Sequence, residues 1–343
     1  MDQEITAFDQ LSQAVKQLYP NQDGIYYRSI IPAQMGGDSP LEGVEVWESN
    51  HQIPHWHYIT YGYTELYEKQ TDEPEVSGFG FEMTFRLKKG EESSAPVWPI
   101  NLLKNLANYV FSSGNAFDTG HHINCNGPIA LEEETDLTAL FFTEDKELPP
   151  MKTMNGAMKF LQAVAITNDE MEALMCWNGE KFVGLMEKEN PLLITDLQRT
   201  SKMTQPDFVA AWEKGVEEDG SSTGFLYMDE MDVVEQDGKY SLILGAGHID
   251  TFTRMIHARV GKGKELLIQS EEMIVCFQPL EHPIVEKEDG LFIFDLSTEA
   301  LKEIQTVLQP KAGKYLLPSA PMNIELTLTQ IRDAEGNIVE TIG

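Results

Sequence analysis

Between Phe79 and Leu87 every second residue is large and apolar: Phe79, Phe81, Met83, Phe85 and Leu87. Gly80, Glu82, Thr84 and Arg86 fall between them, on the other face. A period of two is the signature of a β-strand, because successive side chains point to opposite sides of the pleat. A strand this apolar cannot stand alone, so the chain must build a sheet around it and cover at least one face.

The neighbouring segments supply both needs. Val44–Trp47 and Trp56–Tyr63 read as strands, as do Leu137–Phe142 and Phe160–Ile166. Ile5, Phe8, Leu11, Val15 and Leu18 recur at helical spacing until Pro20, which predicts an opening helix. Pro99 sits where a first-turn proline belongs, and Leu102, Leu103, Leu106 and Val110 give the next helix its buried stripe. Thr167 with Glu170 forms a capping box for a third helix carrying Met171 and Leu174. Leu192–Ile194 closes this first α+β unit.

At 343 residues, two domains are the natural expectation. The polar, proline-marked stretch Arg199–Pro206 places the boundary, giving domains at 1–203 and 204–343. The second domain reads as richer in β-structure. Phe225–Val234 and Tyr240–Leu244 flank Asp237-Gly238, a hairpin signal. Strands at His248–Val260, Leu266–Ile268, Ile274–Phe277 and Leu291–Phe294 follow. Ser297 caps a helix running to Leu308, with Glu299 in its first turn, and Met322–Ile331 is the final strand. The fold class expected is α+β: two domains, each a mixed or antiparallel sheet with flanking helices.

Charge narrows the partners. Lys plus Arg total 25 against 56 Asp plus Glu, a net of −31. The excess is spread over both halves, with −17 before Met203 and −14 after it. Such a field repels nucleic acid and anionic membrane, and it accelerates encounter with basic partners. The plainer reading is solubility. Cys125, Cys176 and Cys276 are distant from one another and odd in number, which fits reduced thiols and a cytoplasmic location. The acidic N-terminus lacks the basic-then-apolar pattern of a secretory signal, and no apolar run approaches the ~20 residues of a spanning helix.

Catalytic motifs are sparse. His55 and His57 share a strand face and could both reach a metal, but no third ligand lies at a telling distance. His121 and His122, near Cys125, are adjacent and diverge on any regular element. There is no Gly-x-Ser-x-Gly elbow and no phosphate-cradling loop, and Gly245-Ala246-Gly247 lacks the rest of a dinucleotide fingerprint. The residues point to no catalytic site, no metal and no cofactor.

Several stretches strongly resemble the suppressor-of-fused family: His55-Trp56-His57-Tyr58-Ile59-Thr60-Tyr61-Gly62, and then Ser77-Gly78-Phe79-Gly80-Phe81-Glu82-Met83-Thr84-Phe85-Arg86-Leu87. The likeness continues through Trp98-Pro99, Tyr109-Val110-Phe111, Thr143-Glu144-Asp145, Trp177-Asn178-Gly179 and Leu193-Ile194-Thr195-Asp196. It covers roughly Trp47 to Thr200, and Lys214–Ser221 resembles the start of the family's second domain. The long low-complexity insertion of animal members is missing, which implies a compact, bacterial-type member.

The resemblance implies a non-enzymatic protein that sequesters or neutralises a protein partner by gripping an extended segment of it in the cleft between the two domains. Animal members hold a transcription factor by clamping an extended peptide between their domains as an added strand, and bacterial relatives look like immunity proteins that neutralise toxins. By that likeness the partner-binding residues are Tyr109, Phe117, His121 and Glu144 in the first domain, and Phe225 and Tyr227 in the second. His121 departs from the family pattern, since animal members carry an aspartate there. The expected partner is a protein, either a basic toxin such as a nuclease or an endogenous regulator. A metal-dependent hydrolase using His55 and His57 is the contrasting reading.

Overall fold

The structure is a computed structural model that describes residues 5–29, 39–236, 238–280, 285–288, 290–332 and 337–343. It has an α+β fold and divides into two compact units: Met1–Met171 with Val183–Gln205, and Glu172–Phe182 with Pro206–Gly343.

In the first unit, α1 (Ala7–Leu18) starts at a reciprocal cap. The Thr6 hydroxyl accepts from Asp9 N–H at 3.1 Å, and the Asp9 carboxylate accepts from Thr6 N–H at 2.9 Å. Strands β1 (Ile25–Arg28), β2 (Gly43–Ser49), β3 (His55–Tyr61) and β4 (Val76–Lys88) run antiparallel in sequence order. Then come α2 (Trp98–Ser113), β5 (His122–Asn124), β6 (Leu137–Glu144), β7 (Met151–Thr153) and β8 (Gly156–Thr167). The sheet order is β1-β2-β3-β4-β8-β6-β5, with β7 paired to β8. Among the described residues of this sheet, β4 and β8 are the one strand pair that runs parallel. Residues of α3 (Asn168–Met175) and α4 (Gly179–Glu187) fall in both units. At the start of α3 the Glu170 carboxylate accepts from Thr167 N–H at 3.0 Å, one half of a capping box, while Glu170 N–H donates to Asp169 at 3.0 Å in place of the Thr167 hydroxyl. Leu192–Ile194 forms no strand. Leu193 has φ +51, and a single bridge joins Leu87 to Thr195.

Both faces of the sheet are covered. Phe81, Met83, Phe85 and Leu87 pack with Leu103, Leu106 and Val110 of α2. On the opposite face Ile59, Tyr61 and Phe160 pack with Leu11 and Val15 of α1. The alternating set on β4 therefore faces α2, while Glu82, Thr84 and Arg86 point into a second interior and are fully buried.

Burying those groups requires partners. Arg86 donates to both carboxylate oxygens of Asp145 at 2.6 and 2.9 Å, to Gln162 at 2.6 Å and to Glu147 at 3.1 Å. Asp145 also accepts from the Thr84 hydroxyl at 2.7 Å and from the backbone N–H groups of Glu147 and Leu148 at 2.9 and 3.0 Å. Burial alone would raise the Asp145 carboxyl, but Arg86 and His57 hold it well below the usual range. The Tyr19 hydroxyl lies 2.7 Å from His57 Nδ1, and His57 Nε2 lies 3.4 Å from Asp145. His55 is paired through Nδ1 to the Ile53 carbonyl at 2.8 Å, while its buried Nε2 has no partner among the described residues.

After Glu172–Phe182 the second unit continues with α5 (Pro206–Asp219), whose Phe208, Trp212 and Gly215 are buried. Strands β9 (Phe225–Tyr227), β10 (Met231–Gln236) and β11 (Lys239–Gly245) lead to α6 (Ile249–Arg259). Next come β12 (Leu266–Gln269), β13 (Ile274–Pro279), β14 (Val285–Glu288), β15 (Leu291–Leu296) and α7 (Thr298–Val307). β16 (Gly313–Tyr315), β17 (Met322–Thr327), β18 (Thr329–Arg332) and β19 (Ile338–Ile342) complete the unit. They form sheets ordered β10-β11-β17-β16 and β14-β15-β13-β12-β9, together with the β18-β19 pair. Ser297 caps α7 by accepting from Ala300 N–H at 3.2 Å.

Three expectations here need correction. His248–Val260 is mostly the helix α6, because its buried Ile249, Phe252, Met255 and Ile256 repeat at three and four residues rather than two. Phe225–Val234 is two strands in different sheets, β9 and β10. Met322–Ile331 likewise splits into β17 and β18. The β10–β11 hairpin is present, with Gln236 opposite Lys239 and Gly238 at φ +77; Asp237 lies outside the described residues.

Arg86→Met should cost about 3–5 kcal/mol, because it leaves Asp145 charged and buried without its counter-ion. Urea unfolding followed by tryptophan fluorescence reads this directly, and a loss below about 1 kcal/mol would contradict it. The histidines give a pH signature. Burial pulls the His55 pKa down from 6.5 to about 4, so between those values the unfolded chain binds a proton that the folded one does not. Stability should therefore fall as pH drops from 6.5 towards 4, by about 3 kcal/mol from His55. His55→Phe should remove that share of the slope. Glu82, which burial pushes up, contributes with the opposite sign, and the wild-type-minus-variant difference cancels it.

Candidate functional site

The four first-unit residues singled out from the sequence lie around the end of α2 and the β5–β6 corner. Gly114, at φ +75, ends α2 with its N–H on the Val110 carbonyl at 2.8 Å. Tyr109, in the last turns of that helix, is 42% exposed. Its ring stacks on Phe117 with centroids 5.5 Å apart, and Phe117 stacks on Phe142 of β6 at 4.1 Å. Phe117 itself is buried, so it supports Tyr109 rather than presenting a face of its own.

His121 is exposed, and its Nδ1 accepts from the Asp118 N–H at 3.2 Å. Its carbonyl accepts from Phe142 N–H at 2.9 Å, which carries the chain into β5. Glu144 ends β6, with its side chain about half exposed. Lys159 of β8 forms an ion pair with Asp118 and stands 4.0 Å from Glu144, linking the 118–121 turn to the end of β6. Asp118 is held below the usual carboxylate range chiefly by its bond to Lys159.

β5 is an edge strand of three residues, with β6 as its one strand neighbour among the described residues. The bonds Phe142 N–H to His121 O and Cys125 N–H to Thr138 O fix the alternation of the ladder. The backbone groups of His122 and Asn124 therefore point away from β6. This donor and acceptor row was missed in the sequence reading, which considered His122 only for metal binding. A three-residue strand is too short to show a period.

In the second unit Phe225 and Tyr227 occupy β9, the edge of its five-stranded sheet. Leu226 between them is buried, whereas Phe225 and Tyr227 are 45% and 50% exposed. Leu267 N–H bonds the Gly224 carbonyl and Met228 N–H bonds the Gln269 carbonyl, both at 2.9 Å. By the parallel ladder's alternation, Phe225 and Tyr227 turn their own backbone groups outward. The start of β9 is fixed by Ser221, whose hydroxyl donates to the Met175 carbonyl at 2.5 Å and whose carbonyl accepts from Arg259 at 3.0 Å.

His55 and His57 are fully buried, within the network around Arg86. Among the described residues, no group of three or more His, Cys, Asp or Glu side chains is placed to hold a metal. The three cysteines are free, and no described helix is long and apolar enough to cross a membrane.

The model of the suppressor of fused protein family matches residues 37–200. The human suppressor of fused homolog is 35% identical over 227 residues, covering 60% of this chain and 46% of that protein. Through these residues the chain is similar to the suppressor-of-fused family. It spans about half the length of the curated relatives that it matches. The crystal structure of Drosophila suppressor of fused shares the fold over 95% of this chain and 99% of its own, with a TM-score of 0.76 at 18% identity. The crystal structure of a Sufu–Fu complex matches 60% of this chain and 96% of its own, with a TM-score of 0.56 at 26% identity. The suppressor-of-fused match holds Tyr109, Phe117, His121 and Glu144, whereas Phe225 and Tyr227 lie beyond residue 200.

Phe117 and Tyr109 should separate in their effects. Phe117→Ala opens a hole against Phe142 and should cost about 3 kcal/mol, while Tyr109→Ala should cost about 1 kcal/mol or less. Denaturation midpoints of the two variants measure the contrast, and equal losses would show that Tyr109 is a core residue.

Proposed function

We propose that the chain is a non-enzymatic, cytoplasmic protein that sequesters or neutralises a protein partner by pairing an extended segment of it with the edge of β5, of β9, or of both. The observation that carries this reading is that each unit ends a sheet on a three-residue strand with outward backbone groups and half-exposed aromatics beside it. Strand addition draws affinity from main-chain hydrogen bonds and specificity from neighbouring side chains. Tyr109 near β5, and Phe225 and Tyr227 on β9, are residues of the kind that anchor interfaces.

Charge favours a basic partner. A net of −31 suits a cationic toxin, such as a nuclease held in the manner of an immunity protein. His121, in place of the animal aspartate, gives the first-unit surface a different recognition chemistry from that of animal members. A second reading, sequestration of an endogenous regulator, is favoured by the relative solved as a Sufu–Fu complex.

Co-expression with the product of the adjacent reading frame should give a stoichiometric complex and rescue from any toxicity. Asn124→Pro and Tyr227→Pro each delete an outward N–H, and at least one of them, at the edge that pairs, should weaken that complex about tenfold or more while the protein remains folded. Association should also slow markedly between low and physiological salt. Failure to form the complex, or full affinity in both proline variants, would refute strand pairing; a salt-independent on-rate would assign the acidic surface to solubility alone.

A further inference from the structure

A cavity of about 330 Å³ opens in the first unit, where the turn after β3 meets the start of β4 and the last turns of α2. Its lining includes four aromatic side chains: Tyr63, Tyr67, Phe79 and Phe111. Phe111 lies two residues beyond Tyr109, about 200° further round α2, and so faces a different flank from the surface described above. Its ring meets Phe79 edge-on at 4.9 Å and Tyr63 at 5.9 Å. Two glycines make this wall possible. At Gly78, with φ +53, an added Cβ would come within 2.4 Å of the Tyr63 carbonyl; at Gly62, with φ +140, it would come within 2.9 Å of Leu41 Cα.

The charged side chains of the lining are all carboxylates: Glu42, Glu65 and Glu68, beside the neutral polar Thr64, Gln70 and Thr71. Glu42 is paired with Arg28 at 2.7 Å. Glu65 is consumed locally, accepting from Lys69 at 2.8 Å and from the backbone N–H groups of Gln70 and Thr71 at 2.6 Å. Glu68 also lines the cavity and has no ion-pair partner among the described residues. Tyr63 is 1% exposed, and its hydroxyl has no hydrogen-bond partner there either. Aromatic faces attract cations through the ring quadrupole, and an unpaired carboxylate adds to that attraction. Glu68 is exposed and lines the cavity, so it attracts a cation and repels an anion.

We propose that this cavity binds a small organic cation with apolar substituents, of the alkylammonium class. Its volume sits at the small end of ligand sites, enough for a head group of a few carbons around a nitrogen. The aromatic walls take the apolar substituents and the cation's face, and Glu68 supplies the counter-charge. The site is independent of the two strand edges.

The test uses choline and its neutral isostere 3,3-dimethylbutan-1-ol, titrated into the full chain at low salt and followed by amide chemical shifts. Choline should give saturable shifts at the Gly62 and Gly78 amides, with the alcohol weaker by about tenfold. Phe111 is 43% exposed, so Phe111→Ala leaves the core intact and should weaken choline about tenfold. Glu68→Gln should weaken choline without altering the alcohol. No saturable shift, equal binding of choline and the alcohol, or choline binding unchanged in Phe111→Ala would each overturn the assignment.

Discussion

The first unit depends on one buried ion pair, Arg86 with Asp145. The guanidinium and the carboxylate are both fully out of water, and isolated burial of either would cost several kcal/mol. They are tolerated because almost every remaining donor and acceptor is used: Gln162 from β8, Thr84 from β4, Glu147 and two backbone N–H groups from the turn after β6. The pair thereby ties β4, β8 and the end of β6 together at one point. Tyr19, just past α1, reaches the same cluster through His57, so the helix that covers this face is held to it by polarity as well as by packing. A sheet covered on both faces needs some such arrangement, since no solvent is left to receive its polar side.

This also explains what could be read from the sequence. The alternation on β4 correctly sets Phe81 to Leu87 against α2, because apolar periodicity reports burial on that face. It is silent on the opposite face. Glu82, Thr84 and Arg86 look like a solvated stripe by residue type and are as deeply buried as the phenylalanines, and only their partners make that possible: Asp145 and Gln162, distant in the chain, for Thr84 and Arg86, and the end of β3 with the turn after it, at Thr60, Gly62 and Thr64, for Glu82. Family resemblance marked Arg86 and Asp145 in separate motifs without saying that they meet. His55 and His57 raised a metal question for the same reason: two histidines on one strand face look like ligands until the hydroxyl and carbonyl that engage them are known.

In the second unit the misreadings have a different origin. The stretch 248–260 carries Ile, Thr, Phe and Val, residues with strand preference, but their spacing is helical and tertiary packing follows the spacing. β9 and β10 were merged because their apolar residues are nearly continuous, although the chain changes sheets between them. The strand edges themselves were out of reach. Tyr109, Phe225 and Tyr227 were visible as residues, but the backbone beside them becomes significant only once β5 and β9 are known to lie at the margins of their sheets.

Exposed edges carry a hazard, since they can pair with a second copy of the same chain as readily as with a partner. Two features reduce it here. Each edge is only three residues long, too short to hold a copy by ladder bonds alone. The charge adds to this. Most Lys and Arg side chains of the first unit are committed to internal pairs, among them Arg28–Glu42, Lys88–Asp196, Lys89–Glu48 and Arg199–Glu170. The excess carboxylates are therefore left to set the outward field, and with −31 overall two copies repel while a basic chain is drawn in. On the strand-pairing proposal, an edge too short to hold a copy of itself would still bind a partner of opposite charge that brings side chains for Tyr109, Phe225 and Tyr227, so one composition would both disfavour self-association and favour a basic partner.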